Sequence, residues 1–477
     1  LLANYKQKNA DIWNILGWTA FLMLMINPNA LFSIGFQLSF GAVSGIVFVM
    51  NQVQYLKDNL DLNYKSKIVR FLVKILEGVF ASIGALIGTF LPVAFHFHEM
   101  SLIGIFLNII VIPITFLLVI FGIITISTSF ISQTLADIYG ECVFGLGLLL
   151  DKISIFGDGL ELPMLSLGGL SQISILIIFF GLGCLFYFRN PRYFQTISIY
   201  LLFLFSVIIW QENWKKDKVY FSFLDVGQGD ACLVHSDDFA VLIDAGYVGF
   251  GKDYGRTVIL PHLKYLGIEE IDLAIFSHPH ADHIGGFDYL ANKIQIHEIW
   301  DTKNNFNTKL YQKIIHKHIE TGTRLKFPNP GEIYKIGKLE MTILYPDSLK
   351  AQYAPNINEA SLVLRMDHGE NSVLFMGDAE HDAEKIISGL KSNLESDVVK
   401  IGHHGSKTSS IPELIENTKA SFGIISLGEN NKFNHPSMKI VNRWKKKNVD
   451  VFRTDFHGAI TIVSDGYSLK LFTQTKM

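Results

Sequence analysis

Ser277-His278-Pro279-His280-Ala281-Asp282-His283-Ile284-Gly285-Gly286 decides how this sequence reads. The string follows the apolar run IDLAIFS (271–277), so its side chains emerge where a buried strand gives way to a loop. His278 and His280, two apart in an extended chain, point the same way and can share one metal ion. Asp282 and His283 follow the turn and can reach a second ion beside the first. Neutral imidazoles with a carboxylate suit borderline divalent ions such as Zn²⁺ or Mn²⁺. A structural role alone is a poor explanation for three histidines and an aspartate crowded onto one polar turn.

Around this string, from Val219 onward, short apolar or alternating runs are separated by Gly/Asp/Asn turns. YFSFLDVG, ACLVHS and AVLIDAG read as three successive strands. RTVILPHLKYLG reads as a helix ending at Gly267. KLEMTILYP, SLVLRMDH, NSVLFMGD, SDVVKIGHHG, ASFGIISLG, DVFRTD and AITIVS are further strands, with helices predicted over 379–388, 411–417 and 438–448. Many strands with interspersed helices give an α/β or α+β layered domain.

The residues before 217 have a different texture. Of 477 residues, the first 217 carry 12 Lys+Arg and 12 Asp+Glu, while the remaining 260 carry 29 and 32. Charge density doubles at that point, which excludes a single soluble globule and a disordered chain. The division expected is a membrane domain at 1–217 and a soluble domain at 218–477. Net charge is −3, so no basic field invites nucleic acid, and any such substrate must be held by metal ions or local patches. Cys142, Cys184 and Cys232 cannot build a disulfide framework.

Spans of about 20 apolar residues are expected at 12–26 (short), 30–50, 71–95, 101–127, 172–188 and 194–210, with Asn27-Pro28-Asn29 as a tight hairpin. Lys57, Lys65, Lys67 and Arg70 place the 51–70 loop on the cytoplasmic side, as Arg189 and Arg192 do for 189–193. An even number of spans must separate these loops. Segment 131–157 must then cross too, despite Asp137, Glu141 and Asp151, leaving the C-terminal half extracytoplasmic; Lys215, Lys216 and Lys218 pull the other way. Gln37, Glu77, Asn108 and Pro113 interrupt the apolar runs. They read either as interhelical hydrogen bonds and kinks or as a polar path through the bilayer.

The histidine motif matches the HxHxDH signature of the metallo-β-lactamase superfamily in full. LDVGQGDACLV, LIDAG, NEASLVL, LFMGDAE, IGHHGSKTSS, NKFNHP and FRTDFHGAI, with INPNALFSIGFQLSF and LNIIVIP in the first half, resemble the ComEC-type DNA-internalisation competence proteins. The resemblance implies a polytopic α-helical membrane domain followed by an αββα sandwich. It also implies that the family's N-terminal portion, including an OB-like domain, precedes a chain that here begins at Leu1.

By the same resemblance Asp378 bridges the two metals, one of His403 and His404 is a ligand (His404 preferred, since neighbours on a strand face opposite ways), and His435 is the last ligand. The family's further histidine is replaced by Asn358, which is expected to face substrate. His297, His316, His318 and His368 are read as surface residues. The loop carrying Ser406, Lys407 and Ser409 precedes a Pro412-started helix, and its amides are expected to hold a phosphate. Asp225, Asp230 and Asp244 are expected to hold loops or orient ligands.

DNA uptake across the cytoplasmic membrane follows as the implied function. One strand is transported and the other hydrolysed by two divalent ions, with Asp282 and Asp378 catalytic and Gln37, Asn108 and Pro113 in the channel. Implied partners are the lipid bilayer and other competence components, with homo-oligomerisation left open. The residues alone also admit a membrane-bound phosphodiesterase for lipid or cell-wall phosphodiesters, or a channel whose metal domain only binds DNA.

Overall fold

The computed structural model describes residues 11–59, 67–100, 103–158, 165–166, 200, 203–204, 206–207, 217–390 and 394–474. Segment 172–188, most of 194–210, and the basic residues Lys65, Arg189, Arg192, Lys215 and Lys216 lie outside them. The chain divides into two compact units, Leu1–Leu204 and Phe205–Met477.

The N-terminal unit contains α1 (Ile12–Ile26), α2 (Ile34–Asn59), α3 (Lys67–His96), α4 (Gly104–Ser129) and α5 (Gln133–Asp158). Among the described residues, three helical stretches are long and apolar enough to cross a membrane: Ile34–Tyr55, Val73–His96 and Ile110–Ser129. The 15 residues of α1 extend only about 22 Å, short of a hydrocarbon core of about 30 Å. Segment 131–157 forms one helix, α5, but its carboxylates and Lys152 keep it out of that apolar set. The Asn27-Pro28-Asn29 turn is a 3₁₀ segment, Pro28–Phe32, capped by the Asn27 side chain.

Helices α2 and α3 cross through glycines. A Cβ at Gly45 would overlap the Gly84 carbonyl oxygen, and one at Gly88 would overlap that of Gly41. Gly41-Ala-Val-Ser-Gly45 and Gly84-Ala-Leu-Ile-Gly88 are therefore facing G-x-x-x-G motifs. Gln37 donates to Leu31 O (3.1 Å), and its oxygen lies 2.9 Å from His96 Nε2 on α3. Glu77 pairs with Lys57 between the same helices. Asn108 is half-buried and Pro113 exposed on α4.

The C-terminal unit is built from two sheets. The first contains β1 (Val219–Phe223), β2 (Cys232–His235), β3 (Ala240–Ile243), β4 (Glu270–Ile275), β5 (Gln295–Trp300) and β6 (Arg324–Lys326). The second contains β7 (Ile333–Ile336), β8 (Leu339–Tyr345), β9 (Val363–His368), β10 (Asn371–Phe375), β11 (Val398–Lys400), β12 (Phe422–Ile425) and β13 (Asp450–Arg453), in that spatial order. The hairpin β14 (Ile460–Ser464) and β15 (Leu469–Thr473) returns to the first sheet, giving the order β6-β5-β4-β3-β2-β1-β14-β15.

Alternation within the strands makes four layers. Inward residues such as Phe221, Val241, Ile275, Met341, Leu364 and Ile462 form the core between the sheets. Outward residues of the first sheet (Leu233, Leu242, Ala274) pack on α6 (Leu260–Leu266) and α7 (Lys309–Glu320) through Leu263 and Ile314. Those of the second (Leu374, Val399, Ile425) pack on α8 (His381–Ser388), α9 (Pro412–Thr418) and α10 (Met438–Lys445) through Ile387, Leu414 and Trp444. This is the αββα sandwich expected. Strands β5, β6, β7 and β15 and helix α7 had no expectation attached. Their runs are short and partly polar, and pairing with neighbouring strands in the sheets makes the former strands.

Candidate metal centre

The motif begins where β4 ends. Ser277 is buried, and its hydroxyl lies 2.7 Å from Asp244 Oδ2, 3.0 Å from His278 Nδ1 and 3.2 Å from His283 Nδ1. Asp244, just after β3, also accepts from Ser277 N (2.9 Å) and faces His283 Nδ1 at 2.8 Å. Both histidines are thereby held by Nδ1, and the Nε2 atoms are turned toward the open end of the sandwich. His278 Nε2 lies 2.8 Å from His280 Nδ1, so these two converge. A short helix, Ala281–Ile284, carries Asp282 and His283 onward.

Asp378 follows β10 and sits at the centre of the cluster. Its Oδ2 lies 3.4 Å from His283 Nε2, 3.7 Å from His404 Nε2, 3.9 Å from His278 Nε2 and 4.0 Å from His403 Nε2. His404 Nε2 also lies 3.7 Å from Asp282. Four sets of donors come close enough to share an ion: His278/His283/Asp378, Asp282/His283/His404, Asp230/Asp378/His404 and Asp230/Asp244/His283. Asp230 joins the cluster through one oxygen, while the other pairs with buried Lys400 at 2.6 Å.

Residues 403 and 404 correct the premise on which one was preferred. Strand β11 stops at Lys400, and both histidines lie on a tight turn, Gly402–Gly405, with left-handed φ of 47° and 50°. A turn does not alternate faces, so both rings approach Asp378. His404 is buried, with Nδ1 2.8 Å from Ser426 O; His403 is half-buried against Glu380 (2.9 Å), Thr408 and Asn358. Asn358 donates to Glu380, which His403 chiefly holds down at about 2. His435 stands beside His403, ring centres 5.6 Å apart, clasped by Asn431 and outside the four sets. Burial, then the nearby His403 and His404, push its imidazole down to about 4.

The phosphate-holding loop is a second correction. The amides of Ser410 and Ile411 are already bound by the Glu384 carboxylate (2.6 and 2.8 Å). Ser409 is fully buried and donates to Gly402 O and Ser406 O; Ser406 is buried against Thr408, and Lys407 and Thr408 are exposed. The surface assignment fails for His318 and His368, which are buried and bonded to Phe287 O and Ser464. His297 and His316 are exposed and paired with Glu270 and Glu320. Exposed Asp225 holds its own loop through Gly227 N.

Electrostatics and orphaned atoms both bear on whether ions fit. Burial would raise the Asp378 carboxyl, yet His404 and His283 hold it well below the usual range. Asp282 is held low against burial in the same way, chiefly by the His404 imidazole 3.7 Å away. Burial opposes protonation of His283, but Asp378 and Asp244 raise it well above an ordinary histidine. His283 Nε2, His404 Nε2, Asp378 Oδ1 and Asp230 Oδ1 are buried without hydrogen-bond partners. Buried polar atoms rarely go unpaired. Orphaned imidazole nitrogens facing carboxylate oxygens are a donor set that fits divalent ions.

Residues 1–192 match the Competence protein family and residues 224–428 the metallo-β-lactamase superfamily. The chain joins a competence-protein domain to a metallo-β-lactamase superfamily domain. ComE operon protein 3 of Bacillus subtilis (strain 168) is 24% identical over 461 residues, covering 92% of this chain and 56% of its own length. Recombination protein 2 of Haemophilus influenzae is 26% identical over 483 residues, with the same two coverages. The chain thus spans about half the length of these curated relatives. Among solved structures, the metallo-β-lactamase fold protein YhfI from Bacillus subtilis matches at 15% identity and a TM-score of 0.37, over 52% of this chain and 100% of its own.

Several residues of the metallo-β-lactamase domain had no role in the sequence reading. Ser277 stands inside the motif string and could have been found there. Lys400 and Glu384 could not, because their partners Asp230 and Ser410 are far away in sequence.

Proposed function

We propose that this protein carries one strand of DNA across the cytoplasmic membrane during natural transformation, and that its C-terminal unit hydrolyses phosphodiesters of the other strand with two Zn²⁺ or Mn²⁺ ions. The supporting observation is the convergence of His278, His283, His404, Asp282 and Asp378 at the open end of the sandwich, with buried donor atoms left unpaired. His280 completes the first ion's ligands, and His403 or His435 the second's. The chemistry supplied by bound ions is neutralisation of phosphoryl oxygens and activation of a water. Asp244 and Ser277 orient His278 and His283. Ser426 O fixes His404. Asp282, at the rim with 29% of its side chain exposed, orients the attacking water or takes its proton. In this proposal the change in charge density near residue 217 separates a multi-pass conduit from an extracytoplasmic hydrolase.

The test uses the full chain in detergent, loaded with Mn²⁺ or Zn²⁺, against single- and double-stranded DNA and phosphodiester lipids. Metal-dependent DNA cleavage, lost in Asp378→Ala and in Asp282→Ala, is expected. Cleavage surviving both substitutions sinks the two-ion hydrolase, and cleavage of lipid alone replaces the substrate. A reporter active only in the cytoplasm, fused after Met477, overturns the extracytoplasmic placement if it is active. Uptake of labelled DNA by cells carrying Gln37→Leu or Asn108→Leu tests the conduit.

A further inference from the structure

Beside Asp282 opens a cavity of about 380 Å³, within the roughly 300–1,000 Å³ typical of ligand sites. Its walls are Tyr247, Phe250, Lys252 and Tyr254 on one loop and Lys432 and Phe433 on another, together with Gln228 and Ala281. A second chamber of about 610 Å³ shares Gln228, Lys252, Tyr254, Lys432 and Phe433 and adds Asp225 and Glu429. Shared walls make the two chambers one groove running to the metal centre.

Of the aromatic residues of this groove, Tyr254 packs on the core, whereas Phe250 and Phe433 are exposed. Phe250 occupies the tip of the small hairpin between Val248–Gly249 and Lys252–Asp253, is 101% exposed and has a left-handed φ of 49°. A bulky aromatic rarely adopts that conformation, and no packing holds it there. Phe433 is 51% exposed, with the Lys432 ammonium 5.1 Å from its ring centre. Phe433 also lies parallel to the His435 ring, 5.9 Å between centres, so the inner cavity combines the free faces of Phe250 and the exposed part of Phe433 with two cations, while its carboxylate, Asp282, belongs to the proposed ion cluster.

We infer that this groove binds single-stranded nucleic acid, with unpaired bases stacked on Phe250 and Phe433 and phosphates held by Lys252 and Lys432, feeding the strand to the metal centre. The inference rests on the hydrolase reading above and names the form of its substrate. Stacking needs a free base face, which a duplex conceals, and it tolerates any base. In the inner cavity, which Asp225 and Glu429 of the outer chamber do not line, two local cations also answer how a chain of net charge −3 could hold a polyanion.

The test is equilibrium binding by the full chain in detergent, with chelator present so that nothing is cleaved. The probes are labelled dT12, an abasic strand with the same number of phosphates, and a 12-base-pair duplex. Wild type is expected to prefer dT12 to both others. Phe250→Ala with Phe433→Ala should weaken dT12 binding by about 5- to 150-fold per lost stack and leave abasic binding where it was. Lys252→Ala with Lys432→Ala should weaken both single strands and reduce the salt slope by about 1.4. Tyr467→Ala, an 81% exposed aromatic in the β14–β15 turn, serves as control. Equal binding of dT12 and the abasic strand, or an unchanged dT12 affinity in the double phenylalanine variant, overturns the groove. The two readings fail separately: dT12 binding through the aromatics without cleavage in any metal sinks the hydrolase alone, whereas Asp378-dependent cleavage with indifferent phenylalanine variants sinks the groove alone.

Discussion

At the crossing of α2 and α3, backbone meets backbone because Gly41, Gly45, Gly84 and Gly88 have no side chains to interpose. At the mouth of the sandwich, side chains crowd together although burial opposes their charges. The first contact is complete as it stands. Lipid offers no hydrophobic drive between helices, so shape and dispersion must supply cohesion. The second leaves two imidazole nitrogens and two carboxylate oxygens buried and unpaired. Close approach with every atom satisfied marks structure; close approach with orphaned donor atoms marks a place for something else.

Four substitutions test that distinction. Asp378→Ala removes the atom on which four histidines converge, and should abolish ion binding at the cluster. Hydrolysis should fall by more than the roughly 10–100-fold seen for outer partners of metal ligands, measured by calorimetric metal titration and by turnover. Asp301 is the satisfied counterpart within the same unit: fully buried, it accepts from Tyr311 OH (2.5 Å) and Thr302 N, and burial raises it to about 7. A raised carboxyl favours the fold below its unfolded value near 3.8 and loses that contribution as pH rises through about 7. Relative to Asp301→Asn, wild type should therefore lose on the order of 3–4 kcal/mol between about pH 4 and pH 8, read from denaturant unfolding.

Gly45→Leu drives a side chain into the Gly84 carbonyl and should cost about 3 kcal/mol, seen as a lower unfolding midpoint of the N-terminal unit in detergent. Metal affinity should be untouched. Asp244→Asn keeps the shape but weakens the hold on His283 Nδ1. It should cost about 10–100-fold in metal affinity, roughly 1.4–2.8 kcal/mol, with little change in stability. If Gly45→Leu altered metal binding, or Asp244→Asn unfolded the unit, the distinction between the two contacts would fail.

How much of this could be read beforehand follows from range in sequence. The motif 277–286 was legible because its ligands are neighbours along the chain and the apolar run before them announces a strand end. The strands of the core were legible for the same reason. The turn at His403 and His404 was not, since two consecutive left-handed residues leave no mark in residue type when neither is glycine. The Glu384 cap on Ser410 and Ile411 was invisible because it joins residues 26 and 27 apart. Without it, a Ser-rich loop before a helix looks like a phosphate cradle. The glycine motifs of α2 and α3 were present in the sequence, but a small-residue spacing acquires meaning only when its partner is known.

The return of β14 and β15 to the first sheet sets an order of events during synthesis. Strand β1, at 219–223, gains its outer neighbour only from residues 460–464, and the donor atoms of the cluster are scattered from Asp230 to His404. Pairings of such long separation form late and slowly. A partly made C-terminal unit therefore holds the motif 277–286 without the geometry that gives it meaning. Capacity for ions arrives only once nearly the whole unit has been made and its two sheets have closed, so the timing of that capacity is written into strand order.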